Sequence, residues 1–281
     1  DSATSITLPP SQGANVGDAP QGPSLPFLPA FETESERTQA PMSQAKPELY
    51  RQLNPLLYQT TPPPRGIVRR PGEFEPVQDL YLTYMRYLPD LDLLYGDIIE
   101  ASWELAHVHV VVEEGELPAL QAILDARGIP RVAIEPLTQV PTDSIWMRDY
   151  GPGAVFVGDT LEVIDLTYYT SRAMDDAAPT RLGDAQGWAT SRPDLIGEWG
   201  NVMTNGEGLC IATTQLLKQN GGDESAVKKS LAAHVGCEDS LFVPPLQGDT
   251  IPHVDLFLQF AEADLVLIGH YTPEQDPLNA P

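Results

Sequence analysis

The sequence is poor in bases, with 16 Lys and Arg against 40 Asp and Glu and a formal charge of -24 at pH 7. A surface of that sign repels phosphate backbones and anionic headgroups, which sets aside nucleic acid and favours cationic or neutral ligands. Cysteine is nearly absent. Cys210 and Cys237 are too few for a disulfide framework, and no CxxC or Cys/His cluster suggests a structural zinc. Each cysteine reads as a small buried apolar side chain. No apolar run is long enough to cross a membrane as a helix. The first residue is Asp1 rather than Met, with no charged n-region and apolar h-region. Removal of a signal peptide and fragmentation upstream explain that equally well.

Periodicity is lacking from residue 1 to about 70, where Pro, Ser, Gln and Gly dominate (SITLPPSQG, GDAPQGPSLPFLPA, YQTTPPPRG). This predicts a disordered or extended leader or linker, a composition that leans towards an exported protein, with a cytoplasmic one as the alternative. From Pro71 onwards, apolar runs of strand length alternate with amphipathic stretches, and residues 71–281 are expected to form the folded domain. Strands are predicted at 106–114 and 131–137 around a helix at 117–128 ending on Gly128, a βαβ-like unit. Residues 201–213 read as a hairpin turning at Asn205-Gly206, followed by a helix over 223–236 and a strand at 240–245. A further hairpin is predicted over 254–271.

Hairpins thus begin near Trp146, Asn201 and Val254, spaced by 55 and 53 residues, which suggests one supersecondary unit used repeatedly. After the last hairpin only the Pro-rich TPEQDPLNAP follows, too short for a helix and a closing strand. The expectation is a fourth unit cut in its middle, completed by residues or a polypeptide outside this chain.

Three segments at comparable places in these repeats carry chemically capable side chains. PTDSIWMRDYGPGAVFV (141–157) places Trp146, Arg148 and Asp149 at a strand mouth, IGEWGN (196–201) places Glu198 and Asn201 at a hairpin start, and GDTIPHVDLF (248–257) places His253 and Asp255 two apart at a strand entry. Singly, each has a bland reading as a surface ion pair, a solvated loop charge or a strand-end hydrogen bond. In repeats that close on themselves, however, equivalent positions meet at the axis. Asp149, Asp255 and Glu198, with Trp146 and His253, would make an anionic pocket with a flat wall. A guanidinium suits it, because its N–H groups form a rigid fork for carboxylates and its plane stacks on aromatics.

With Glu73-Phe74-Glu75-Pro76, Trp146 to Pro152, Glu198 to Asn201 and His253 to Asp255 in this order, the sequence resembles the family that groups agmatine deiminases with bacterial-type peptidylarginine deiminases. The family motifs run E-[WF]-E-P, W-x-R-D-x-G-P, E-G-G-N and H-[IV]-D, followed by a late cysteine. Trp199 replaces the first glycine of the third motif and is expected to bring a bulky ring near the pocket. The resemblance implies an α/β fold, a five-fold α/β-propeller (pentein) of ββαβ modules, with roughly the last one and a half modules missing here. It implies hydrolysis of a guanidino group, in agmatine or peptidyl arginine, to a ureido group and ammonia, without cofactor or metal. Asp149 and Asp255 would grip the guanidinium, Trp146 would line the pocket, His253 would be general acid and then base, and Glu198 would orient it. Asn201 is a candidate for substrate binding or for shaping the loop. The family's thiolate, which forms a thiouronium intermediate, would lie outside this chain, since neither Cys210 nor Cys237 stands at the family position.

Two other readings remain at this point. A catalytically silent module would keep the cation pocket without a nucleophile. A metal-dependent hydrolase would use His107-x-His109 or His253-x-Asp255 as ligands.

Overall fold

A computed structural model describes residues 28–38, 41–87 and 89–280. The first part of the expected leader, residues 1–27, lies outside the described residues. The described remainder carries two helices, a 3-10 turn and a short strand. Helix α1 (Glu34–Thr38) starts with a reciprocal cap, in which Glu36 N–H donates to Thr33 Oγ1 at 3.1 Å and Thr33 N–H donates to Glu36 Oε2 at 2.8 Å. Helix α2 (Pro41–Leu53) follows, and strand β1 (Val68–Arg69) pairs antiparallel with a later strand. These pieces are tied to the body by polar contacts that composition does not reveal. Arg51 meets Asp176 at 2.7 Å, Tyr58 donates to the Ala173 carbonyl at 2.7 Å, and Thr61 N–H donates to the Arg192 carbonyl at 2.8 Å.

The first unit is β2 (Asp79–Tyr84), α3 (Pro89–Ser102), β3 (His107–Val112), α4 (Leu117–Arg127) and β4 (Ile134–Leu137). Its three strands are all parallel, so the βαβ-like unit expected around 106–137 is extended at its start to βαβαβ. The valines at 108, 110 and 112 pack on Leu120 and Leu124, with Leu120 and Leu124 fully buried, each worth about 2 kcal/mol of apolar transfer.

The second unit opens on a short helix α5 (Met147–Tyr150), then β5 (Gly153–Val157), β6 (Thr160–Ile164), α6 (Ala173–Gln186) and β7 (Ala189–Ser191). The third runs β8 (Val202–Thr204), β9 (Leu209–Thr213), α7 (Thr214–Gln219), α8 (Glu224–Val235) and β10 (Asp239–Val243). In both, a hairpin is followed by a helix and a strand that returns parallel to the hairpin's second strand. β1 adds an edge to the second sheet beside β5. Helix α8 ends on Gly236 at φ 82°, where a β-carbon would lie 2.1 Å from the Val68 carbonyl, so glycine both reverses the chain and admits β1. β11 (Leu258–Glu262) and β12 (Leu265–Ile268) form the last hairpin.

The second and third units share a core of Val155, Ile164, Trp199, Val202, Leu216 and Leu231, into which both cysteines project. There the sequence expectation of two isolated buried thiols is corrected, because Cys210 on β9 and Cys237 just after α8 form a disulfide. The ββαβ turn brings the end of the helix back beside the hairpin strand, a proximity that cysteine counting cannot show.

The entrances of the three hairpins are also not strands, as the sequence suggested. They are the helix α5 and two 3-10 turns, Trp199–Asn201 and Val254–Leu256, which pack against one another. Turns at these places curl each motif so that alternate side chains face a shared centre.

Candidate active site

The loop before α5 is held by crossed caps with the first turn of α6. Asp175 accepts from Asp143 N–H at 2.7 Å, from Ser144 N–H at 3.1 Å and from the Ser144 hydroxyl at 2.6 Å, while Asp143 accepts from Met174 N–H at 2.7 Å. Tyr150 donates to the Ser144 carbonyl at 2.8 Å, closing the loop over the helix that presents Asp149.

Gly200 lies at the centre. A β-carbon there would stand 2.7 Å from Asp149 Oδ1, 2.8 Å from His253 Nδ1 and 2.9 Å from Asp255 Oδ2, so side chains of the second and fourth units converge on one point of the third that only glycine leaves open. His253 is buried, with Nδ1 3.4 Å from Asp149 and Nε2 3.9 Å from Glu198. Glu198 is 2% exposed and accepts from Gln219 Nε2 at 3.1 and 3.2 Å, and its carboxylate also meets the Tyr169 hydroxyl. Asp149, Glu198, His253 and Asp255 are thus brought together.

The other two candidates are placed differently. Asn201 is fully buried, and its Oδ1 accepts from Thr213 N–H at 2.9 Å and Val254 N–H at 3.2 Å. Its side chain ties the third unit to the fourth. Trp146 is half-buried beside the Tyr168 and Tyr169 cluster, and its indole N–H donates to the Leu28 carbonyl at 2.7 Å. The expectation for Trp199 is corrected too. Its ring is 4% exposed in the core, in the space left by the missing side chain of Gly153, with the Arg70 guanidinium 3.8 Å over its face.

Burial would lower the affinity of His253 for a proton, but the hydrogen-bonded Asp149 and the nearby Glu198 and Asp255 charges outweigh it and hold its pKa above the ordinary value. Burial raises the pKa of Glu198 and of Asp255, opposed at Glu198 by His253 and Gln219 and at Asp255 by Arg148 and His253. The centre therefore favours a charged imidazole, while burial works against the charge on Glu198 and Asp255.

Sequence reasoning missed Tyr169, Gln219 and the pairing of Arg148, which lies 2.7 Å from Glu73 and 3.1 Å from Asp255. The Glu73-Phe74-Glu75-Pro76 motif carried the signal for one partner, whereas Tyr169 and Gln219 sit in segments without any motif. On β3, His107 is exposed, while His109 is buried between Asp79 at 2.7 Å and Glu135 at 3.0 Å and stacks on Tyr81. Among the described residues no group of three or more His, Cys, Asp or Glu is arranged to hold a metal, and no helix is long and apolar enough to cross a membrane.

Comparison with known proteins places this geometry. The Porphyromonas-type peptidyl-arginine deiminase family matches residues 69–280. A protein of Selenomonas ruminantium, provisionally named an agmatine deiminase, is 24% identical over 79% of this chain and 66% of its own length. The agmatine deiminase of Ectopseudomonas mendocina is 25% identical over 64% of this chain and 52% of its own. Among solved structures, the agmatine deiminase of Enterococcus faecalis superposes with a TM-score of 0.66 at 19% identity, over 77% of this chain and 66% of that one, and so shares its α/β fold. The chain spans about two thirds of the length of the Selenomonas and Enterococcus proteins and about half of the Ectopseudomonas one.

Proposed function

Because the chain belongs to the Porphyromonas-type peptidyl-arginine deiminase family, we propose that it forms the guanidinium-gripping and acid–base part of a guanidine deiminase. The convergence of Asp149, His253 and Asp255 over Gly200 is the observation that carries this reading. The substrate is a small cationic guanidino compound such as agmatine, or an arginine-containing peptide, and the products are a ureido group and ammonia.

In this reading Asp149 and Asp255 bind the guanidinium nitrogens from two sides, which keeps both carboxylates ionised despite burial. A thiolate adds to the guanidinium carbon, and the C–N bond to the leaving nitrogen breaks as the His253 imidazolium hands it a proton, giving ammonia and a thiouronium. The now neutral His253 takes a proton from water as the water adds to the same carbon, and the C–S bond breaks to return the thiolate and leave the ureido group, the remaining hydroxyl proton passing to ammonia or solvent. Glu198, fixed by Gln219, orients the imidazole at Nε2. The bound cation itself helps to lower the thiol pKa.

This chain supplies the grip and the proton carrier but not the thiolate, since its two cysteines are joined in a disulfide. That observation favours a second reading, a silent guanidinium-binding module. Incubation with agmatine, free arginine and an arginine peptide separates the two. The chain alone is expected to bind at least one of them without releasing ammonia. The protein that joins this chain to a thiolate-bearing module is expected to release ammonia and a ureido product. Binding without turnover in the joined protein selects the silent module, and no binding in either removes both readings.

A further inference from the structure

Arg148 precedes Asp149 in the chain and takes no part in the reaction described above. Its guanidinium is nonetheless placed with care. Nη1 lies 2.7 Å from Glu73 Oε1, Nε lies 3.1 Å from Asp255 Oδ2, and Nη2 contacts the Met203 sulfur at 3.7 Å. Glu73 comes from the turn ahead of β2, Asp255 from the 3-10 turn ahead of β11, and Arg148 from α5 between them. One fork therefore joins the first, second and fourth units. The neighbouring residue, Asp149, closes the opposite side of the same centre through His253.

We propose that Arg148 is a positioning residue for Asp255, engaging Oδ2, the oxygen that faces Gly200, and so fixing the orientation in which the carboxylate meets the ligand's guanidinium, with Glu73 fixing Arg148 in turn. The inference rests on the gripping role proposed for Asp255. A carboxylate has two oxygens and rotates freely unless one is held. The Arg fork holds one oxygen in a set direction, which a point charge does not. The groups facing Asp255 are Arg148 and Asp149 from α5 and His253 from its own turn, and of these Arg148 opposes its burial most strongly.

Counting charges alone leads to the opposite expectation. Removing a cation beside two carboxylates makes the centre more negative, which would strengthen the binding of a guanidinium. Arg148 is 47% exposed at its side chain, so solvent weakens that Coulomb effect while the orientation of Asp255 still depends on the fork. The sign of the change in affinity thus distinguishes positioning from competition.

The test is a calorimetric titration of agmatine into the wild-type chain and the Arg148→Gln, Arg148→Lys and Glu73→Gln variants, beside the titration of Asp255 followed by carboxyl carbon NMR and assigned with Asp255→Asn. Arg148→Gln should bind about tenfold more weakly or worse, from the loss of a charge-assisted hydrogen bond that orients the acceptor. Its Asp255 should also take up a proton at higher pH than in the wild type. Arg148→Lys should restore the Asp255 titration but not the affinity, and Glu73→Gln should fall between wild type and Arg148→Gln. Wild-type binding together with unchanged or tighter binding in Arg148→Gln overturns the positioning role alone. Absence of binding in the wild type overturns the gripping role as well. An Asp255 titration unmoved by Arg148→Gln overturns the positioning role whichever way the calorimetry falls.

Discussion

His253 Nδ1 lies 3.4 Å from Asp149 Oδ1, although the two residues come from turns that open different repeats and are 104 positions apart. The imidazole is buried, and Asp149 is the largest of the groups that hold its pKa above 6.5 against the effect of burial. A group whose folded pKa is raised contributes stability that is complete below its unfolded value and is lost as pH rises through its folded value. Asp149→Asn should therefore destabilise the protein most below pH 6.5, and the loss should shrink as the pH is raised through neutrality. Urea unfolding midpoints of both proteins across the neutral range check this. A deficit independent of pH would contradict the His253–Asp149 coupling.

Gly200 has ordinary backbone angles, so alanine is tolerable to the chain itself but not to its neighbours. Its β-carbon would stand under 3 Å from Asp149, His253 and Asp255 at once. Gly200→Ala should cost about 1–3 kcal/mol of stability from overpacking and abolish guanidinium binding by spreading the three groups apart. Retained agmatine affinity in a folded Gly200→Ala protein would show that the centre is not where the ligand sits.

The disulfide closes a loop between β9 and the end of α8, with a sequence separation of 27. Loop closure of that size is worth about 3–4 kcal/mol. Cys210→Ser with Cys237→Ser, or reduction, should lower stability by that amount in denaturant titrations, and intact protein should show no free thiol by mass measurement after alkylation. Two alkylated cysteines in native protein would contradict the bond.

Arg172 is buried at the foot of the leader, 2.8 Å from Glu36 and bonded to the Phe31 carbonyl at 2.9 Å. Glu36→Gln would leave a buried charge with a neutral partner and should cost about 3 kcal/mol or more. Limited proteolysis should then cut within residues 28–38 far faster than in the wild type. Equal stability and cutting rates would mean that the segment is not anchored through this pair.

Much of the scaffold was legible because hydrophobic alternation, Gly stops and repeat spacing are local signals. The helix at 117–128, the hairpin turning at Asn205-Gly206 and the return strand near 240 are each set by residues within their own span. Asp149, Glu198, His253 and Asp255 were found through motifs at repeat-equivalent places. What stayed hidden depends on contacts between distant segments. The folded leader is held by Arg51, Arg172 and Arg192 on partners more than a hundred residues away or buried in α6, and Pro-rich composition masks this. Trp199, standing where the motif has glycine, is expected near the pocket, yet the gap at Gly153 draws the ring into the core. Asn201 has its oxygen occupied by two backbone N–H groups from distant segments, which no local signal shows.

The central claim is that two carboxylates from different repeats grip one guanidinium. Its most direct test is the affinity for agmatine and for an arginine peptide of the wild-type chain, Asp149→Asn and Asp255→Asn, measured by calorimetry at neutral pH. The account predicts binding of at least one ligand by the wild type and a loss of about 2–4 kcal/mol in each variant, as one side of a desolvated cation is left unpaired. Unchanged affinity in both folded variants would contradict it.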